Sequence, residues 1–141
     1  MAILQRATFE VIEDSRVNCL SVMTSLPVRE YLDSARVAYE DRGGLVGQRE
    51  KLQTTSAIRI RRRMVDDIQQ GAVLPPIVIG VVLEKKIFQK FRSASTPGRR
   101  AILQEVEPDR FSIIDGMQRT TALLEAFESK MPPPDRRVRV E

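Results

Sequence analysis

The sequence predicts an α+β protein in which helices pack against a small mixed β-sheet. Its 141 residues fit a single domain that spans residues 1–141. Hydrophobic residues form 42% of the chain and charged residues 30%, which is enough apolar material for a core. In some segments apolar residues recur at every second position, and in others they recur at helical spacing. These segments follow one another along the chain, which indicates strands and helices within one domain.

The first part of the chain predicts a hairpin followed by a helix. Apolar and polar residues alternate over Ala7–Glu13 and again over Val17–Met23, with a turn between them. From Pro27 the apolar residues recur at helical spacing, and Gly43-Gly44 is suited to end that helix.

A second helix is predicted from about Thr54 to about Gly71. Thr54 is a good N-cap, and Ile60, Met64 and Ile68 share one face that we expect to be buried. The opposite face carries a cluster of four arginines, namely Arg59, Arg61, Arg62 and Arg63.

The second half of the chain predicts strands, a loop and one more helix. Ile77–Leu83 is rich in β-branched residues and predicts a buried strand, and residues 88–100 predict an exposed basic loop. Ala101–Glu107 and Phe111–Ile114 predict a second hairpin, and residues 118–130 predict a helix.

The last residues, Arg136–Glu141, begin another alternating strand. This strand has no partner downstream. We therefore expect either that the chain is part of a longer protein or that the strand pairs with one of the earlier strands.

Composition excludes several kinds of site. The chain has no histidine, which excludes a Ser-His-Asp triad, a Cys-His pair and any histidine-ligated metal. The lone Cys19 cannot form an intramolecular disulfide, and we expect it to be a buried apolar residue in a cytoplasmic protein. No apolar run approaches the roughly 18–20 residues that span a bilayer, so no membrane association is predicted.

Positive charge comes mainly from arginine. The formal net charge is +4, and the chain has 18 arginines and only 5 lysines. A guanidinium group matches pairs of phosphate oxygens, so this bias favours a phosphate-bearing partner. Two interpretations stay open for the cluster of Arg59, Arg61, Arg62 and Arg63: a solvated helix face, or contacts with a nucleic-acid backbone, for which Arg59, Arg62 and Arg63 are the candidates.

A candidate anion site lies between a strand and a helix, at Asp115-Gly116-Met117-Gln118-Arg119-Thr120. The first amides of a helix are free to bind an anion, and the helix dipole favours negative charge there. Arg119 offers a bidentate donor, Gln118 an amide, and Thr120 or Thr121 a hydroxyl. Asp115 could hold a divalent cation, orient a water molecule or an arginine, or cap the helix.

This segment resembles the DGQHR or DGQQR signature of proteins with a ParB/sulfiredoxin-like fold, which include GmrS-type nucleases and the DndB regulator family of DNA-modification and anti-phage systems. An upstream element, Leu45-Val46-Gly47-Gln48-Arg49-Glu50, resembles their "YQR" element. An arginine-rich helix and Pro75-Pro76 before a strand follow in the same order as in those proteins. The resemblance covers residues 26–127.

The resemblance implies a pocket for nucleotide or nucleic-acid phosphates, with nucleoside triphosphate and Mg²⁺ as the expected cofactors. It assigns catalytic roles to Asp115 and Arg119, with Asp115 also holding the metal. It implies phosphate binding by a larger set: Gln48, Arg49, Gly116, Gln118, Arg119 and Thr120. A further domain or partner protein of a defence system is also implied.

Two residues depart from the family pattern. Met117 replaces the usual glutamine, and Gly47 replaces a frequent tyrosine. Losing one amide side chain removes a hydrogen-bonding group, so phosphate binding could survive where hydrolysis is impaired.

Three functions follow from this pattern, in order of preference. The first is a nucleotide-dependent enzyme or sensor of a DNA-modification or phage-defence system. The second is a non-catalytic DNA-binding or regulatory domain that uses the same basic pocket. Direct nuclease action ranks last, because no paired-carboxylate motif stands out.

Overall fold

The computed structural model describes residues 7–42 and 54–141. The described residues form five strands and five α-helices, so the α+β class is confirmed. In chain order these elements are β1 (Glu10–Asp14), β2 (Cys19–Pro27), α1 (Val28–Arg42), α2 (Thr55–Gln69), β3 (Val78–Val81), α3 (Lys85–Ser93), α4 (Thr96–Glu105), β4 (Phe111–Asp115), α5 (Met117–Phe127) and β5 (Arg137–Val140).

The strands form two small antiparallel sheets that meet along a parallel bridge. One sheet has the order β1-β2-β5 and the other pairs β3 with β4. The bridge joins Ile77 to Val140, and the Ile77 amide donates to the carbonyl of Arg139 at 3.0 Å. The Glu141 amide donates back to the carbonyl of Ile77 at 2.9 Å. The strand at the end of the chain thus pairs with earlier strands, which was the second of the two expectations.

Helices α1, α2 and α5 supply most of the core that packs against these strands. Along β5, Val138 and Val140 are buried while Arg137 and Arg139 are exposed, as period two requires. The buried cluster contains Tyr31, Leu32, Ile68, Ile77, Ile113, Ala122, Leu123, Ala126, Val138 and Val140, among others. Within the described ranges, no helix is long and apolar enough to cross a membrane.

The basic loop predicted for residues 88–100 and the strand predicted for 101–107 are wrong, because α3 and α4 occupy this region. The guanidinium of Arg99 satisfies the last carbonyls of α3: Nε donates to Phe91 and Nη2 to Arg92, both at 2.9 Å. Pro97 lies in the first turn of α4, where proline is tolerated. The predicted hairpin is therefore replaced by the pairing of β4 with β3.

Two predictions of burial are also corrected. The strand predicted over Ile77–Leu83 is shorter, and the residues of β3 are only partly buried, because β3 belongs to a sheet of two strands. Val82 is 73% exposed. Cys19 is exposed, because it begins β2 directly after the hairpin turn rather than lying inside the sheet.

Candidate functional site: the beginning of helix α5

A glycine with positive φ joins β4 to α5. Gly116 has φ +108° and ψ +18° and is the N-cap of α5, with no side chain to cap the helix. A Cβ at this position would lie 3.1 Å from both Cγ atoms of Ile77, which is fully buried. Glycine is therefore required twice here, for the left-handed backbone and for the close approach to Ile77. The turn leaves the first amides of α5 without a side-chain cap.

Below the turn, a buried pair of hydroxyl groups holds it to helix α1. Thr120 is 1% exposed, and its hydroxyl donates to the carbonyl of Gly116 at 3.0 Å. The hydroxyl of Tyr31 lies 2.8 Å from Thr120 Oγ1. Burial raises the pKa of Tyr31 to about 12, against the smaller opposing effects of the Thr120 hydrogen bond and the Arg119 charge. The Thr120 hydroxyl thus stabilises the turn from inside, and we leave it out of the proposed ligand contacts.

The guanidinium of Arg119 is held against the turn. Its Nη2 donates to the carbonyl of Pro76 at 3.0 Å and to Asp115 Oδ2 at 2.9 Å. The Arg119 side chain is 17% exposed, whereas that of Asp115 is 70% exposed. The Nε of Arg119 is buried and has no acceptor among the described residues. The same state occurs at Nε of Arg36 and Arg92, so it does not by itself distinguish Arg119.

Gln118 is oriented by Arg61, which is buried and not on the exposed face of α2 predicted from its charge. Arg61 is 6% exposed, and its Nε lies 3.2 Å from Glu125 Oε1. Its Nη1 donates to Gln118 Oε1 at a long 3.4 Å. With the amide oxygen on Arg61, the amide nitrogen of Gln118 is the donor left for a ligand oxygen.

The burial predicted for α2 is correct at one end and wrong at the other. Ile68 is buried as expected, but Ile60 is 59% exposed and Arg61 is buried in its place. The spacing contained a signal for this, because Arg61, Met64, Val65 and Ile68 follow the i, i+3, i+4, i+7 pattern of one helix face. Charge alone had suggested that Arg61 faces solvent.

The structure brings only some of the predicted residues together. Asp115, Gly116, Gln118 and Arg119 form one turn, with Thr120 beneath it. The other three arginines of α2, Arg59, Arg62 and Arg63, are exposed on the neighbouring helix. Gln48 and Arg49 lie outside the described residues.

The resemblance implies Mg²⁺, which would need several oxygen ligands from the side chains of the turn. Over residues 7–42 and 54–141 no group of three or more acidic or cysteine side chains is placed to hold a metal. Asp115 is the one carboxylate of the turn, and its Oδ2 already accepts from Arg119. These residues do not fit a metal site built by the protein alone, and no step of the proposal below passes through a metal.

Comparison with protein-family models, with curated proteins and with solved structures finds no match. The fold and the site define the class of the protein: an α+β domain with a glycine turn between a strand and a helix, at which Asp115 pairs with Arg119.

Proposed function

We propose that the turn at the beginning of α5 binds phosphate oxygens of a nucleotide. The observation that carries the proposal is the Arg119 guanidinium, which lies beside the uncapped first amides of α5 and whose only charged partner at the turn is the 70% exposed Asp115. A phosphate group offers the several negatively charged acceptors that such donors lack.

Each residue of the turn has a distinct part in this proposal. Arg119 supplies charge-assisted hydrogen bonds, and Gln118 supplies its amide nitrogen. Gly116 supplies the left-handed backbone of the turn, and the first amides of α5 have no side-chain cap. Tyr31 and Thr120 hold the turn in place from the core.

Hydrolysis of a nucleoside triphosphate stays a prediction. An arginine beside the phosphates could stabilise the charge that develops during phosphoryl transfer. Release of inorganic phosphate from ATP, GTP or CTP, measured with and without Mg²⁺, tests it. The role in DNA modification or phage defence also stays a prediction, and it rests on the sequence resemblance.

Arg119→Ala is expected to weaken binding of a nucleoside triphosphate about 10- to 100-fold. A hydrogen bond to a charged group contributes about 1.5–3 kcal/mol, and each 1.4 kcal/mol is tenfold in affinity. Isothermal titration calorimetry measures the change. Arg119→Lys should recover only part of the loss, because lysine keeps the charge but not the planar pair of donors.

Arg16→Ala is the matched control, since it removes the same charge from the exposed turn between β1 and β2, at the edge of the sheet opposite to β5. Thermal unfolding must show that Arg119→Ala remains folded. Unchanged affinity in a folded Arg119→Ala protein would contradict the proposed site.

A second candidate function is binding to the backbone of DNA. It is favoured by the exposed arginines of α2, because Arg59, Arg62 and Arg63 have no hydrogen bond or ion pair with other described residues. The contact between Arg61 and Gln118 places α2 beside the first turn of α5. A polyanion that follows the exposed face of α2 would contact these three guanidinium groups.

Replacing these three arginines of α2 with glutamine is expected to reduce the salt dependence of DNA binding. The slope of log K against log salt should fall in magnitude by about 2–3, because each phosphate contact contributes about 0.9. Fluorescence anisotropy over a range of salt concentrations measures it. The control replaces Lys85, Lys86 and Lys90, which are exposed on α3, with glutamine. Equal slopes for the two triple variants would exclude α2 as the specific contact.

A further inference from the structure

The two side chains of the ion pair between Asp115 and Arg119 differ strongly in their exposure to solvent. The arginine side chain is 17% exposed and the aspartate side chain 70% exposed, although Nη2 and Oδ2 are only 2.9 Å apart. Arg119 is also fixed from the other side by the carbonyl of Pro76, at 3.0 Å. Of the two acceptors on Nη2, the main-chain carbonyl is fixed in the backbone, and the carboxylate is free to rotate into water.

Displacing the carboxylate should be easy. Ion pairs with an exposed partner are weak, because water screens the attraction and can solvate the released charge. A phosphate that binds Arg119 would also repel a carboxylate held at the same guanidinium. Ligand and carboxylate therefore compete for one group.

We propose that Asp115 is an internal competitor that occupies Arg119 in the free protein and leaves it when a phosphate binds. This inference rests on the proposed function, and it adds how the affinity of that site is set. The carboxylate also gives Nη2 of Arg119 a charged acceptor while no ligand is present. It differs from the metal-holding role that the resemblance implies for Asp115, because removal of the carboxylate should strengthen metal-free binding.

The test measures metal-free ATP binding by calorimetry, with a chelator present. Asp115→Asn is expected to bind about 3- to 10-fold more tightly than the wild type. Asp14→Asn is the matched control, because Asp14 Oδ2 pairs with Arg16 Nη2 at 3.0 Å and its loss changes the net charge equally. The control should change affinity less than twofold. A tightening of the same size in Asp14→Asn would overturn the inference, because it would show an effect of net charge only.

A double variant shows whether the effect passes through Arg119. In an Arg119→Ala background, Asp115→Asn should no longer tighten binding, because the group for which the two anions compete is gone. If the wild type binds ATP through Arg119 but Asp115→Asn binds equally or less tightly, the inference fails and the proposed function stands. If binding does not depend on Arg119 at all, both fail. Asp115→Asn could also bind ATP more weakly when Mg²⁺ is present and with unchanged affinity when Mg²⁺ is absent. That result would favour the metal-holding role and would also overturn the inference.

Discussion

Gly116→Ala is expected to lower the free energy of unfolding by about 2–5 kcal/mol. A residue with a Cβ adopts the left-handed backbone at a cost of about 1–2 kcal/mol. The new Cβ would also lie 3.1 Å from the Ile77 side chain and 3.2 Å from its Cα. Overpacking against a buried residue adds about 1–3 kcal/mol, because neither side chain nor backbone has room to move. Chemical denaturation measures the loss.

Gly71→Ala separates the two causes. Gly71 has φ +90°, so alanine meets a similar backbone penalty there. A Cβ at Gly71 would meet the guanidinium of Arg136, which is the end of a flexible, exposed side chain and can move away. We expect a loss of about 1–2 kcal/mol, from the backbone alone. Equal losses in the two variants would show that Ile77 does not restrict the turn at Gly116.

Alkaline pH is expected to destabilise the protein through Tyr31. The pKa of Tyr31 is raised by burial from 10.0 to about 12. Between these values the unfolded chain has lost the phenol proton while the folded protein keeps it, so stability falls as pH rises. The contribution of the protonated Tyr31 to the free energy of unfolding is complete below pH 10 and is lost by about pH 12. The loss corresponds to about 3 kcal/mol.

Tyr31→Phe isolates this contribution, because other groups also titrate in the same range. The variant should lose about 1 kcal/mol at neutral pH, with its hydrogen bond to Thr120, and should lack the alkaline loss assigned to Tyr31. Urea denaturation from pH 8 to pH 12 measures both curves. The chain has two tyrosines, so the difference between the ultraviolet titration of the wild type and that of Tyr31→Phe reports Tyr31. Parallel stability curves would show that the phenol ionises equally in the folded and unfolded states.

Much of the fold could be predicted from local patterns. The first hairpin, α1, α2, β4, α5 and β5 all lie close to their predicted positions, because period and capping residues are local properties. Helix α3 could have been predicted, because Ile87, Phe88 and Phe91 recur at helical spacing, but its end and the start of α4 could not. The carbonyls at the end of α3 are satisfied by Arg99, a residue in the next helix, and no local pattern contains that bond.

The candidate site shows the same division. The sequence by itself determined that a strand, a glycine turn and a helix bring Asp115, Gln118 and Arg119 close together, because their separation along the chain is at most four residues. Only the tertiary structure decided what each group faces. Arg61 is buried against Glu125, and Thr120 bonds to Gly116 beneath the turn. The carbonyl of Pro76 fixes Arg119 from a distant part of the chain. Burial and hydrogen-bond partners depend on packing between elements, which the periodicity of one segment does not contain.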